Sequence, residues 1–187
     1  MKSINDLKLE HEAVKVTLRI LDSICNDVEK SGRIANPDHL EQLIEFFKIF
    51  VDKCHHSKEE ELLFPALEEV GVSRETGPIG VMLKEHQQGR DYVAKMNAAL
   101  VRYLDDDREA ARDLINNARA YITLLNHHID KENTVLFSIA DKNLSVEKQA
   151  ELWEGFKTIE TQKIGVGRHE AFHRMIESLE RLYLYLR

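Results

Sequence analysis

Apolar residues recur along this chain at intervals of three and four, the spacing that gathers them on one face of an α-helix. The first run reads Ile4, Leu7, Val14, Leu18, Leu21, Cys25 and Val28, with His11 standing where the stripe calls for an apolar side chain. Ser3, with Asp6 three residues on, is a candidate N-cap, and Ser31-Gly32 ends the helix. A second helix opens at Asn36-Pro37, an N-cap followed by proline at the first helical position, and carries Leu40, Leu43, Phe47, Phe50 and Cys54. A third follows Gly77-Pro78 and reads Ile79, Met82, His86, Gly89, Val93, Met96, Leu100 and Tyr103. A fourth, starting near Asp107, reads Ala111, Leu114, Ala118, Tyr121, Leu125, His128, Glu132, Val135 and Ile139. Three of these stripes thus place a histidine where leucine is expected. The fourth also makes His128, not His127, the inward member of its pair.

One polar pattern occurs twice: His55-His56-x-x-x-Glu60 and His127-His128-x-x-x-Glu132, each followed by a Leu-Phe pair, Leu63-Phe64 and Leu136-Phe137. A histidine and a glutamate four residues apart share a helix face. Imidazole and carboxylate delivered twice form the donor set of a transition-metal site, and two equivalent halves suggest two ions. On the second helix, continuing the Leu40–Cys54 register lands on Ser57 and Glu61, so periodicity chooses neither His55 with Glu59 nor His56 with Glu60. Alignment with the second copy favours His56 and Glu60. Pro65 is expected to kink or end this helix beyond them.

A single core histidine is more often bonded to a carbonyl or carboxylate than to a metal. Here His11, His86, His128 and Glu132 lie on core stripes of separate helices, and burying that many ionisable groups without compensation is costly. A shared metal offsets the cost by holding imidazoles neutral and carboxylates ionised at one centre. The rest of the composition narrows the class. The chain has 187 residues, enough for one domain with a sizeable core, and a formal net charge of −7 that argues against nucleic acid or an anionic membrane as partner. No run is long and apolar enough for a membrane span or a signal peptide. Cys25 and Cys54 fall in helical patterns without CxxC spacing, as buried thiols in a reducing cytoplasm would.

The order His11 within Glu-His-Glu, His55-His56-x-x-x-Glu60 before Leu-Phe-Pro, Glu85-His86 before Gly89-Arg90, and His128-Ile-x-Lys-Glu132 before Leu-Phe resembles the hemerythrin-like HHE cation-binding family over about residues 3–141. The resemblance implies an all-α, up-down-up-down four-helix bundle around a non-haem centre of two iron ions, carboxylate-bridged and oxo- or hydroxo-bridged. Carried over by position, it makes His11, His56, His86 and His128 terminal ligands and Glu60 and Glu132 bridges. It implies binding or sensing of a small ligand, O2, NO, peroxide or iron itself. The competing class is a di-iron enzyme that consumes peroxide or repairs iron–sulfur clusters. Oxygen carriers of the family have His-x-x-x-His on the third helix, whereas here His86 is followed four residues on by Arg90, which leaves an exchangeable position near His86.

The sequence divides into this bundle, 1–141, and a C-terminal helical extension, 142–187, expected to pack on the bundle or on a twin subunit in a homodimer. Ser145 begins a helix reaching about Thr161, Gly165 and Gly167 mark a loop, and Phe172, Met175, Leu179, Leu182 and Leu186 stripe a last helix. That helix opens with His169-Glu170-Ala-Phe-His173, a literal HExxH. In zinc proteases this spacing supplies two ligands and a general base. Without a strand-rich catalytic domain it is a remote reading, and a closer one lets His169 or Glu170 fold over the metal centre.

Overall fold

The structure, a computed structural model, describes residues 2–165 and 167–186, and every regular element among them is helical. Helix α1 spans Lys2–Ser31. Helix α2, residues 37–69, starts as an α-helix at Pro37–Phe46 and widens into π-helical turns over Phe47–His56 and Glu59–Leu63. It then returns to α winding at Phe64–Glu69. Pro65 therefore does not end the helix: it occupies the first turn of the last α-helical stretch, where the missing N–H is tolerated. Helix α3 spans Pro78–Leu104. Helix α4, residues 110–143, carries one π turn at Glu132–Leu136 between its α-helical parts Ala110–Lys131 and Phe137–Asn143. Helix α5 is Val146–Lys163, and α6, residues 168–185, closes with a π turn at Arg181–Tyr185.

The π turns explain where the hydrophobic stripes slip. An i→i+5 turn inserts one residue into the helical repeat, so the buried face moves on by one position. On α4 the expected core residue Val135 is 46% exposed, and Leu136 is buried in its place. On α2 the wider winding lets a stride of four hold its face, and Phe47, Val51, His55, Glu59 and Leu63 are all buried. On α6 the expected core residues Leu182 and Leu186 are exposed and Tyr183 is buried instead. The first cap fails too, because Ser3 lies inside α1 with its hydroxyl buried and unpartnered. Ser145 does cap α5, its hydroxyl accepting the Lys148 N–H at 3.1 Å.

Two apolar clusters fill the interior. One gathers Leu18, Leu43, Phe46, Phe50, Met96, Leu114 and Tyr121, among others. The second gathers Ile4, Leu7, Leu63, Phe64, Ile79, Leu136 and Phe137. On each of α1 to α4 the histidines fall in sequence between residues of one cluster and residues of the other, so a polar layer separates two dry ones. The extension packs on this chain's own helices: α5 lies along α1 and the π-helical part of α2, and α6 along α1 and α2. Phe156 joins the second cluster, whereas Phe172, Ile176 and Leu179 join the first. Helix α5 approaches closely at Gly155, where a Cβ would stand 2.7 Å from Leu62 Cδ1. No helix among the described residues is long and apolar enough to cross a membrane. Phe156 is fully buried, so Phe156→Ala is expected to cost about 3–5 kcal/mol in denaturant unfolding through lost contacts and a residual cavity.

Candidate metal centre

Five histidines and two glutamates from four helices meet in the polar layer. His11 comes from α1, His55, His56 and Glu59 from α2, His86 from α3, and His128 and Glu132 from α4, all buried. Their donor atoms fall into overlapping groups: His11, His55, Glu59 and Glu132; Glu59, His86, His128 and Glu132; and His56, His86 and His128. The two carboxylates are shared between a two-histidine half and a half containing three histidines.

Each imidazole is turned by an acceptor at its outer nitrogen. His11 Nδ1 faces Asn133 Oδ1 at 3.0 Å, His55 Nδ1 faces Glu10 at 2.7 Å, and His86 Nδ1 faces Glu60 at 2.7 Å. His128 Nδ1 faces Glu85 at 2.9 Å, and His56 Nδ1 faces Asp52 at a longer 3.4 Å. An imidazole that donates from Nδ1 leaves a lone pair on Nε2, which suits it to a cation. Those Nε2 atoms meet head to head, His11 with His55 at 3.0 Å and His86 with His128 at 3.2 Å. Beside them the four carboxylate oxygens of Glu59 and Glu132 are buried, and the groups that approach them are those same inner nitrogens, His11 at 3.1 Å and His128 at 3.2 Å from Glu132 and His86 at 3.4 Å from Glu59. Facing lone pairs and buried carboxylates are costly together, and a cation between them satisfies both.

All four outer carboxylates are themselves held by cations. Lys58, fully buried, donates to Glu10 at 2.6 Å and to Asp6 at 3.0 Å, and Glu160 of α5 lies 3.8 Å away. Arg90 donates to Asp52 at 2.6 Å and to Glu60 at 2.7 Å, while Lys131 pairs with Glu85. The site draws in positive charge. Burial pushes the Glu132 carboxyl up, but the imidazoles of His128, His11 and His86 overcome it and hold the group well below the carboxylate range. Burial likewise opposes a proton on His128, yet Glu132 and Glu85 raise it to about 9. His56 goes the other way, lowered well below its ordinary value by burial and by His86, His55 and His128.

The structure brings together five of the residues expected from sequence: His11, His56, His86, His128 and Glu132. It does not bring in Glu60, a correction to the expected pairing. Glu60 sits at the rim between His86 Nδ1 and Arg90, and Glu59 takes the inward place because the π winding carries position 59 onto the face of His55. His55 and His56 both reach the site, so the two histidines are not alternatives. The i,i+4 pairing of His55 with Glu59 was the available signal, since it extends the stride from Phe47 and Val51. His127 is exposed, as the fourth stripe requires. In the HExxH segment Glu170 and His173 are exposed and His169 rests against Phe50; none belongs to a group of three or more donors among the described residues. Among the described residues the segment has no third zinc ligand and does not fold over the centre. Arg90 turns to the outer carboxylates, and His56 lies stacked on His86, ring centroids 3.8 Å apart.

A helical fold around a buried layer of imidazoles and carboxylates defines a metal-binding helical protein. The hemerythrin HHE cation-binding domain model matches residues 2–140, and the chain belongs to that family. Among curated proteins it is similar to an uncharacterized protein of Mycobacterium tuberculosis and one of Mycobacterium bovis. Each is 24% identical over 176 residues, which cover 94% of this chain and 68% of the relative. No solved structure matches the chain.

Substitutions separate the inner groups from the outer ones. His55→Ala, His56→Ala and Glu59→Gln are each expected to strip metal, whereas Glu60→Gln should weaken binding about 10–100-fold, as loss of an outer partner does, and His127→Ala should change nothing. Metal analysis after dialysis against a graded chelator reads the order; equal retention in Glu59→Gln and the parent would remove Glu59 from the set. A pH titration tests the outer shell. Burial raises Glu10, but His55 and Lys58 depress it from 4.5 to about 2. A depressed carboxyl stabilises the fold fully above its unfolded value and loses that contribution as pH falls from 4.5 toward 2. The metal-free chain should therefore lose stability across that window, and Glu10→Gln should flatten the loss.

Proposed function

We propose that this chain is a non-haem di-iron protein that binds or senses a small ligand, O2, NO or peroxide, at the centre of an up-down-up-down bundle. The carrying observation is the inward-facing donor set: imidazoles anchored outside by acceptors, and two buried carboxylates approached by the inner nitrogens of those same rings. His56, His86 and His128 would hold one ion and His11 and His55 the other, with Glu59 and Glu132 shared between them. Four long helices joined by the short connections 32–36, 70–77 and 105–109 favour alternating directions. Imidazole with carboxylate and no thiolate suits iron, and seven donors over three overlapping groups exceed the four of a structural zinc site.

Bound iron would supply redox chemistry and coordination positions open to a small ligand. The chain's own residues do the rest. Outer acceptors fix each ring's orientation, the apolar clusters on either side exclude bulk water, and Lys58, Arg90 and Lys131 balance the outer carboxylates. Burial in so dry a layer strengthens every electrostatic interaction within it. The protein would act in the cytoplasm, on ligands small enough to reach the bundle interior.

Metal analysis of protein produced with adequate iron should return about two irons per chain, the stoichiometry of bundle-core sites of this kind. Optical spectra with azide and nitric oxide should then show ligand bands from the reduced or oxidised iron. A single tetrahedral zinc, or no metal under any loading condition, would sink the di-iron reading.

A further inference from the structure

Among the described residues Lys58 is the one lysine or arginine that is buried, and it sits on α2 beside Glu59. Its side chain is fully out of water, whereas Arg90 and Lys131, the other outer cations, are 32% and 40% exposed. Carboxylates from two further helices close around it. Glu10 and Asp6 of α1 accept its hydrogen bonds at 2.6 and 3.0 Å, and Glu160 of α5 lies 3.8 Å away. The ring of Phe156, also on α5, has its centroid 5.7 Å from the same Nζ. Glu10 is itself buried, and its other oxygen meets His55 Nδ1 at 2.7 Å.

We propose that Lys58, seated by α5, is the positioning residue of the His11–His55 half, so that the C-terminal extension governs how tightly one ion of the pair is held. The inference rests on the di-iron reading above and adds a dependence which that reading does not contain. The two halves are supported unequally. His56, His86 and His128 have Asp52, Glu60 and Glu85 behind them, each paired with a cation that reaches solvent. In the other half His11 has only the neutral amide of Asn133, so Glu10 is the one charged anchor there. A buried carboxylate is tolerated beside a cation and strongly destabilising without one. Among the described residues no other ammonium or guanidinium touches Glu10. Without Lys58 the Glu10 side chain would turn toward water, and His55 would lose the acceptor that aims its Nε2 inward. Helix α5 supplies one of the three carboxylates and the aromatic face that keep Lys58 in place. Charge alone predicts the opposite sign, because removing an ammonium from beside two metal cations should tighten their binding.

The direction of the effect decides between the two. Lys58→Met keeps the length of the side chain and removes its charge. In full-length protein loaded with ferrous iron and dialysed against a graded chelator, Lys58→Met should release one iron about 10–100-fold more readily than the parent, the size of losing an outer partner. The second iron should stay as tightly held as in the parent. After oxidation it should give the EPR signal of an isolated high-spin ferric ion in place of a spin-coupled pair. Lys58→Arg should restore much of the retention. Glu160→Gln, at a position 35% exposed, should loosen the same iron by about two- to fivefold, the scale of a partly exposed ion pair, whereas Glu154→Gln, 64% exposed on the same helix, should change neither iron. Tighter or unchanged retention of both irons in Lys58→Met overturns the proposal, and equal loosening of both overturns it as a general loss of packing. If Lys58→Met does not fold, Glu160→Gln decides alone, and unchanged release there overturns the proposal. In crystals of metal-free Lys58→Met the Glu10 side chain should have left His55, and a contact kept at 2.7 Å overturns the proposal whatever the iron content. Failure of the di-iron reading shows separately, as fewer than two irons in the parent.

Discussion

Everything in this molecule is arranged around the cost of keeping seven ionisable groups away from water in the middle of a helical core. Imidazoles and carboxylates at that depth need partners, and protein hydrogen bonds are supplied only on one side of each ring. The outer acceptors settle orientation, the inner nitrogens and carboxylate oxygens are left facing one another, and the fold commits to a cation as their common partner. The apolar clusters above and below make that commitment stricter, since they close off the water that would otherwise solvate the donors.

The outer shell is as organised as the inner one. Cation, carboxylate and imidazole run in line four times, from Lys58 through Glu10 to His55, from Arg90 through Asp52 to His56 and through Glu60 to His86, and from Lys131 through Glu85 to His128. His11 differs, with the neutral amide of Asn133 behind it. A carboxylate behind an imidazole makes it a stronger donor than an amide does, so the His11 ring is the weakest-supported donor of its half. The extension takes part through Glu160 and Phe156, which lie against Lys58, so α5 belongs to the environment of the site as much as to the packing of the bundle.

Helix existence and the histidines on α1, α3 and α4 could be read directly from the three-and-four spacing, because His11, His86 and His128 each replace a core residue in an unbroken stripe. The second helix could not be read this way. A stripe of α-helical period projected from Leu40 to Cys54 lands on Ser57 and Glu61, and a repeat alignment then selects Glu60, because both procedures assume constant winding. The chain does not wind constantly there. His55 and His56 both turn inward and Glu59 replaces Glu60, just as Leu136 replaces Val135 on α4. Outer partners such as Glu10 and Asn133 depend on which helices become neighbours, and no local pattern encodes that.

The π-helical stretch of α2 has a consequence for how this site tolerates change in chain length. Each wide turn is one residue more than an α-helix needs for the same rise, so deleting a single residue between Phe47 and Cys54 would let the segment relax to ordinary winding. That relaxation would absorb the deletion and leave the helix beyond it in phase, whereas the same deletion in an α-helical stretch would rotate everything beyond it by about 100°. Leu40, Leu43 and the other side chains upstream would keep their places in either case. Three of the seven donors thus follow one short stretch of backbone whose wide winding can take up the loss of a residue.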